Sequence, residues 1–176
     1  MCEAAGVGEP APVPVPPLVV EATKKAGLVW LTVAGQRPAP AWLLWRDPAA
    51  YVVTGAGEQP VPGLAEAAEC RVTVRSGDNG GRIVTWRARV DRVAPGGEEW
   101  GEVVPALVTA RLNLRDAADA ADRWATSGAV LRLTPTGELV EAGGSLPSGS
   151  LAAAPPPSPA RTPTRIPTTL HRRRRR

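Results

Sequence analysis

The chain has 176 residues, which is enough for one domain with a hydrophobic core but too few for two. A single His, two Cys and no Phe exclude a Cys/His zinc site, a histidine general base in the folded part and a disulfide framework, and no other metal site is predicted. The net charge of +4 is unevenly distributed, since residues 145–176 hold seven Arg and no acidic residue while residues 1–144 hold 14 basic and 17 acidic ones. Composition therefore indicates a small, mildly acidic, β-rich domain with a basic tail.

Proline density sets the expected borders of the folded domain. Residues 1–19 are predicted to be disordered, because PAPVPVPP favours an extended backbone that buries little. Residues 143–176 are predicted to be disordered, because this Pro- and Arg-rich stretch has almost no large apolar side chains to offset the entropy of ordering. The folded domain is therefore expected at residues 20–142, which contain all six Trp.

The lack of a recognisable export signal or membrane-spanning segment predicts a cytoplasmic protein. The first ten residues lack the cationic start and long apolar run of an export signal, and no segment approaches the roughly 18 consecutive apolar residues of a membrane-spanning helix. Cys2 and Cys70 are isolated, as expected in a reducing compartment. Cys70 lies in an alternating pattern that predicts a buried small side chain.

Three short strands are predicted to open the domain. They are apolar runs separated by turn signals that contain Gly, Pro or Asp. Short connections of this kind favour an antiparallel meander. The three runs are residues 28–33 (LVWLTV), 40–45 (PAWLLW) and 51–54 (YVVT).

A hairpin is predicted to follow. Residues 70–75 alternate between apolar and polar side chains, and residues 76–81 (SGDNGG) place Asn-Gly, a strong hairpin signal, in the loop. In residues 83–91, Val84, Trp86 and the other even-numbered apolar positions should face the core. The arginines between them should form a cationic outer face.

The next segments change to helical spacing. Residues 100–112 place apolar side chains three and four positions apart, which is typical of a helix lying on a sheet, and Pro105 should either kink this helix or start its second half. Arg111 and Asn113 then either contact a ligand or cap the helix end. Asp116 is a candidate N-cap for a second, Ala-rich helix.

The second helix should stop at Gly128, and a last strand at residues 130–133 (VLRL) is predicted to end before Pro135. The predicted fold class is mainly β with short helices. Its architecture is a split β-barrel of six or so antiparallel strands with two helices packed on it.

Residues 51–64 (YVVTGAGEQPVPGL) and the segments before them carry a family resemblance. They follow GLVWLTV, a G-x-x-P turn at Gly35 and Pro38, and PAWLLW. This arrangement resembles the pyridoxamine 5'-phosphate oxidase-like, FMN-binding split-barrel superfamily. There the corresponding stretch reads aromatic-x-x-Thr, three residues, Ser-x-Lys, three residues, Leu, and its Ser and Lys hold the flavin phosphate. The resemblance implies a homodimer with the cofactor in a groove between two barrels.

Two residues depart from that pattern. Thr54 matches it, but Glu58 stands where the family has Ser and Pro60 stands where it has Lys. A phosphate beside Glu58 would be repelled, since a charge-assisted contact is worth about 1.5–3 kcal/mol and a like charge reverses its sign. The later His and Arg motif of the family has no counterpart here, so oxidation of pyridoxamine phosphate itself is not expected.

The resemblance gives five candidate residues for holding FMN or a deazaflavin, and no candidate catalytic residue. Two loop residues would contact the cofactor, two arginines of the hairpin would replace the missing cation, and an indole would border the flat ring. Structural alternatives stay open, because the loop can be a plain turn, the arginines surface residues and the indole part of the core. The five residues are Thr54, Gln59, Arg75, Arg82 and Trp86.

The sequence leaves three functions open. The first is a homodimeric flavin- or deazaflavin-associated oxidoreductase-like protein, in which the cofactor carries the hydride chemistry. The alternative is a cofactor-free split-barrel protein that serves as a binding or structural module, which Glu58 and Pro60 favour. The third is a non-specific, salt-sensitive contact of Arg172–Arg176 with nucleic acid.

Overall fold

The structure is a computed structural model that describes residues 14–55, 57–111 and 114–146. Its centre is a closed barrel of six antiparallel strands in the order β1-β2-β3-β6-β5-β4, which confirms the predicted fold class. The described residues also form three α-helices. Of the two termini predicted to be disordered, residues 1–13 and 147–176 lie outside the described residues. The elements are α1 (Pro17–Lys25), β1 (Leu28–Thr32), β2 (Ala39–Arg46), β3 (Ala49–Gly55), β4 (Glu69–Arg75), β5 (Arg82–Arg92), α2 (Glu98–Ala110), α3 (Ala120–Thr126) and β6 (Gly128–Ala142).

The barrel interior is filled by alternate side chains of every strand, because successive residues of a strand face opposite sides of a sheet. Trp86 is 1% exposed and Leu131 is fully buried, and the turn at residues 76–81 joins β4 to β5 as predicted. The predicted inward face of the hairpin is therefore confirmed. The inward residues are Val29, Leu31, Ala41, Leu43, Ala50, Val52, Cys70, Val72, Val74, Val84, Trp86, Ala88, Ala129, Leu131 and Leu133.

A second apolar core lies outside the barrel, where α2 and α3 pack on β3 and β6. β3 is therefore buried on both of its faces, and six of its seven residues are buried. A strand covered on both sides needs apolar residues at consecutive positions, which explains why YVVT does not alternate. The second core consists of Ala49, Tyr51, Val53, Val93, Val103, Val104, Leu107, Ala120, Trp124 and Val130.

The two predicted helices form, with differences at their ends. α2 carries Glu98 and Glu99 in its first turn, where the helix dipole favours acidic side chains, and it continues as one helix through Pro105. A single 3₁₀ turn precedes α3. Asp116, ahead of that turn, has a left-handed backbone with φ of 46° and makes no side-chain cap hydrogen bond. The prediction that Asp116 caps this helix is therefore wrong.

The helix α1 is not among the elements predicted from the sequence. Pro17 stands at the first position of this helix. At that position the backbone N–H has no partner within the helix, so proline loses nothing by lacking one, and its fixed φ suits a helix. Val19 and Thr23 are buried on the helix face that packs against the barrel near β2 and β5. Proline-rich sequence is typical of an extended chain as well as of a helix start, so packing against the barrel decides between the two.

β6 is much longer than the predicted strand, because it continues to Ala142 across Pro135. β3 pairs with β6 only as far as Leu133, and Pro135 stands opposite Ala88 next to an irregularity in the β5–β6 ladder. Proline cannot donate to a ladder, and strands tolerate it at edges and bulges. The predicted end of the last strand before Pro135 is therefore wrong. The strand continues through the proline because only β5 pairs with β6 at that point.

Replacing Trp86 by Ala is expected to lower the free energy of unfolding by about 3–5 kcal/mol, because it removes an enclosed indole and leaves a cavity in the barrel. Trp42→Ala is the matched control, because that indole is 37% exposed, and it should cost about 1 kcal/mol or less. Urea unfolding followed by far-ultraviolet circular dichroism measures both losses. Equal losses would contradict the placement of Trp86 in the core.

Candidate functional site

The chain turns sharply where β3 ends and the β3 loop, residues 57–61, begins. Gly55 and Gly57 have φ of 118° and 82°, a region of backbone conformation that favours glycine. A Cβ at Gly55 would lie 2.7 Å from the Cα of Gly128, so β3 and β6 approach each other here more closely than a side chain allows. The two glycines therefore set the path by which the chain leaves the sheet.

The side chain of Thr54 forms two hydrogen bonds to the backbone of the β3 loop. Its Oγ1 accepts a hydrogen bond from the Val61 N–H at 3.3 Å and donates one to the Gln59 carbonyl oxygen at 3.5 Å. Val61 and Leu64, which follow, are buried in the barrel core. The hydroxyl of Thr54 therefore holds the loop closed, and the matched Thr and Leu of the family pattern both have structural roles in this chain.

The side chain of Glu58 is 2% exposed and contacts one residue of α3 and the C-cap residue of α2. Its Oε1 accepts a hydrogen bond from Trp124 Nε1 at 2.9 Å, and its Oε2 pairs with Arg111 Nη2 at 2.5 Å. Arg111 is 14% exposed, so the ion pair is buried. Breaking such a pair by removing one partner is strongly destabilising, because a buried charge is left uncompensated.

Arg111 reaches this pair from the C-terminal end of α2. It is the C-cap residue of that helix, and its backbone N–H bonds to the Leu107 carbonyl oxygen at 3.1 Å. The cap alternative is therefore confirmed for the backbone of Arg111, while its side chain takes a further role as the partner of Glu58. Asn113, the other residue considered for this position, lies outside the described residues.

An apolar cleft opens beside Arg111, and we call it the Trp42 cleft. Its volume is about 150 Å³. Arg111 supplies the one charged side chain among the described residues that line it, and the Trp42 indole is 37% exposed at its edge. The lining residues are Gly27, Trp42, Leu43, Val53, Leu107, Ala110 and Arg111.

The two hairpin arginines lie elsewhere. Arg82 Nη1 pairs with Glu141 Oε1 at 3.1 Å, near the end of β6 opposite to the one that pairs with Thr54. Arg75 donates from Nε to the Gly80 carbonyl oxygen at 2.7 Å, and its guanidinium lies 5.7 Å from the centre of the Trp30 ring. Both arginines contact partners of their own sheet, as the surface alternative implies.

The five predicted cofactor residues thus occupy three different places within one chain. Thr54 and Gln59 belong to the β3 loop region, the two arginines to the β4–β5 hairpin, and Trp86 to the barrel interior. An indole that is 1% exposed has no free face for a ring to stack on, so Trp86 follows the core alternative. Arg111 and Trp124 are not predicted as partners of Glu58, since the pattern of a single sequence carries no signal for such a pairing.

A second, polar cleft of about 410 Å³ lies at the N-terminal end of α2. Tyr51 donates from its hydroxyl to Glu99 Oε1 at 2.7 Å, and Arg132 Nη1 lies 3.5 Å from the same oxygen. Burial and this hydrogen bond raise the pKa of Tyr51 to about 12. The cleft therefore presents a neutral phenol and an ion pair at neutral pH.

The described residues outside these two clefts offer neither a reactive thiolate nor a cluster of metal ligands. Cys70 is buried as predicted, and burial raises the pKa of its thiol to about 12, so it is not a reactive thiolate at neutral pH. Among the described residues, no three His, Cys, Asp or Glu side chains lie together as a metal site would require. In the same part of the chain, no helix is long and apolar enough to cross a membrane. Arg172–Arg176 lie outside the described residues.

Comparison with known proteins finds no family model and no curated protein that matches the sequence. The chain does resemble solved structures. The heme storage protein HutZ from Vibrio cholerae is 16% identical, with 69% of this chain and 89% of that one covered and a TM-score of 0.49. The flavocytochrome Anf3 from Azotobacter vinelandii is 15% identical, with 88% of both chains covered and a TM-score of 0.45.

A third solved structure, a candidate pyridoxamine 5'-phosphate oxidase from Listeria innocua, is 12% identical, with 69% of this chain and 94% of that one covered and a TM-score of 0.45. Its name is that of the family which residues 51–64 resemble. At these identities the likeness concerns the path of the backbone, and it does not extend to ligands or activity.

Tyr51 is the single tyrosine of the chain, so the absorbance of phenolate reports on it alone. We expect a midpoint near pH 12 in the folded protein and near pH 10 in urea. Because the folded-state pKa is raised, the unfolded state loses its proton first, so the stability from Tyr51 is present below about pH 10 and lost between about pH 10 and 12. Glu99→Gln should lower the folded midpoint. A folded wild-type midpoint near pH 10 would contradict both the burial of Tyr51 and its contact with Glu99.

Proposed function

We propose that this protein is a binding module built on a split barrel and that it does not anchor FMN by a phosphate at the β3 loop. The observation that supports this is the buried Glu58 carboxylate, which stands where the resemblance implies a phosphate-binding Ser. The positive charge of its partner Arg111 is already balanced by this carboxylate. The chain thus fills the implied phosphate position with an acidic side chain of its own.

Magnitudes favour the same conclusion. To bind a phosphate at this place, the ligand would have to displace Glu58 and break a buried ion pair, at a cost of about 3–5 kcal/mol. The charge-assisted contact that replaces it is worth about 1.5–3 kcal/mol. Pro60 offers no second cation to make up the difference.

A flavin- or deazaflavin-associated oxidoreductase is the second candidate, and the exposed Trp42 indole favours it. An indole face at the edge of an apolar cleft can stack on a flat ring. A cofactor held in this way would bind through its ring system, and it would itself supply the redox chemistry. The protein would supply orientation and an apolar wall.

Titration with FMN and with a deazaflavin, followed by cofactor fluorescence, distinguishes the two candidates. For the binding module we expect no saturable quenching at micromolar concentrations, because neither anchor is available. Saturable quenching that Trp42→Ala abolishes would establish the second candidate in its place. Saturable quenching that survives Trp42→Ala but is lost in Thr54→Val would show that the β3 loop binds the cofactor after all.

We further propose that a second copy of the chain packs on the outer face of β1 and β2 beside the Trp42 cleft, and that it leaves the Arg111 side of that cleft open. Leu28 and Trp42 stand opposite each other in the β1–β2 ladder, and each is 37% exposed. Adjacent exposed apolar side chains of this size are typical of an interaction surface. The family resemblance, which implies a homodimer, supports a second copy as the partner.

Light scattering coupled to size-exclusion chromatography tests the dimer. We expect a dimer for the wild type and a monomer for Trp42→Glu, because a charge would be buried without a partner in the interface. Leu139→Glu is the matched control: Leu139 is also exposed, at 41%, but lies on β6, so this variant should remain dimeric. A monomeric wild type, or equal dissociation of both variants, would reject this interface.

A further inference from the structure

Arg111 belongs to two environments at once. Its Nη2 pairs with the buried Glu58, and its side chain also lines the Trp42 cleft. A guanidinium has five N–H donors, and Glu58 occupies only part of that capacity. Arg111 is therefore placed to bind a second acceptor from the cleft side.

The donors of Arg111 are not all satisfied by the described residues. Its Nε is buried and has no hydrogen-bond partner there. A buried donor without a partner costs about 1–3 kcal/mol, and native proteins keep few of them. Glu58 Oε2, the acceptor that pairs with Arg111, is likewise buried without a hydrogen bond, so the ion pair leaves donor capacity on Arg111 that Glu58 does not use.

The size and lining of the cleft limit what the acceptor can be. An apolar cavity of about 150 Å³ holds one benzene ring, and the volume of the Trp42 cleft is about the same. Trp42, Val53 and Leu107 would contact the apolar body of such a molecule, and Arg111 would contact one acidic group. A tricyclic flavin ring is too large to be enclosed there.

We propose that the Trp42 cleft binds a small monocarboxylate with a single ring or a short branched chain, and that Arg111 holds its carboxylate. The proposal rests on the proposed function of a binding module and names its ligand class. Glu58 already pairs with the same guanidinium and, as a like charge, repels the incoming carboxylate. It therefore sets how weakly the wild type binds such a ligand.

The experiment uses benzoate as the probe and isothermal titration calorimetry as the measurement, with benzamide as the uncharged probe of the same shape. We expect wild type to prefer benzoate over benzamide, and Glu58→Gln to bind benzoate about tenfold more tightly, since removing the like charge is worth about 1.4 kcal/mol. Gln keeps an oxygen that can accept from Trp124 Nε1. Arg111→Met should lose the preference for benzoate.

Glu141→Gln is the matched control, because it removes the same type of charge from the Arg82 ion pair instead. It should leave benzoate affinity unchanged. Equal affinities for benzoate and benzamide, or a preference that persists in Arg111→Met, would overturn the proposal. A gain in benzoate affinity in Glu141→Gln as large as in Glu58→Gln would also overturn it, because the effect would then reflect net charge alone.

Glu58→Gln leaves Arg111 buried without a counter-charge, so circular dichroism must first confirm that it folds. If it does not, the wild type is compared with the double variant Glu58→Gln/Arg111→Met, which removes both charges. Loss of the benzoate preference in the double variant then supports the proposal, and its persistence overturns it. Failure here is distinct from failure of the proposed function, which the FMN and deazaflavin titration decides separately.

Discussion

The buried ion pair between Glu58 and Arg111 is the constraint on which the rest of the site depends. It connects the loop after β3 to the end of α2, and the hydrogen bond from Trp124 connects the same carboxylate to α3. Three elements that are separate in the sequence are thus joined at one acidic group. Because the pair is shielded from water, neither partner can leave without exposing the other as an uncompensated charge.

This constraint acts on a barrel whose strand β3 is buried on both faces. Inward, its side chains fill the barrel, and outward they pack with Leu107 and Trp124 of the helices. The end of β3 is therefore fixed from two sides before the loop begins. Glu58 follows this fixed strand end closely in the chain, so its carboxylate can be held against Arg111 and Trp124 and away from solvent.

The functional consequence is that the residues available to contact a ligand differ from those that the family resemblance implies. The loop that resembles a phosphate anchor in its spacing is closed by the hydroxyl of Thr54, and it carries the acidic Glu58, whose charge is balanced by Arg111. The apolar cleft that Trp42 and Arg111 line is a concave surface close to this loop. The proposed ligand, a compact molecule with one acidic group, follows from the size of this cleft and from its single lining cation among the described residues.

The sequence by itself determined the strands β1 to β5, the SGDNGG turn and the two helices that pack on the barrel, because period and turn chemistry depend on residues that are neighbours in the chain. It did not determine α1, the continuation of β6 past Pro135 or the partners of Glu58. Those were decided by tertiary packing: Pro17 starts a helix because a barrel face lies beside it, and Pro135 is tolerated because β6 has only one neighbour there. The partners of a charged side chain distant in sequence are fixed only when the fold brings them together, so the family resemblance identified the position of Glu58 but not its role.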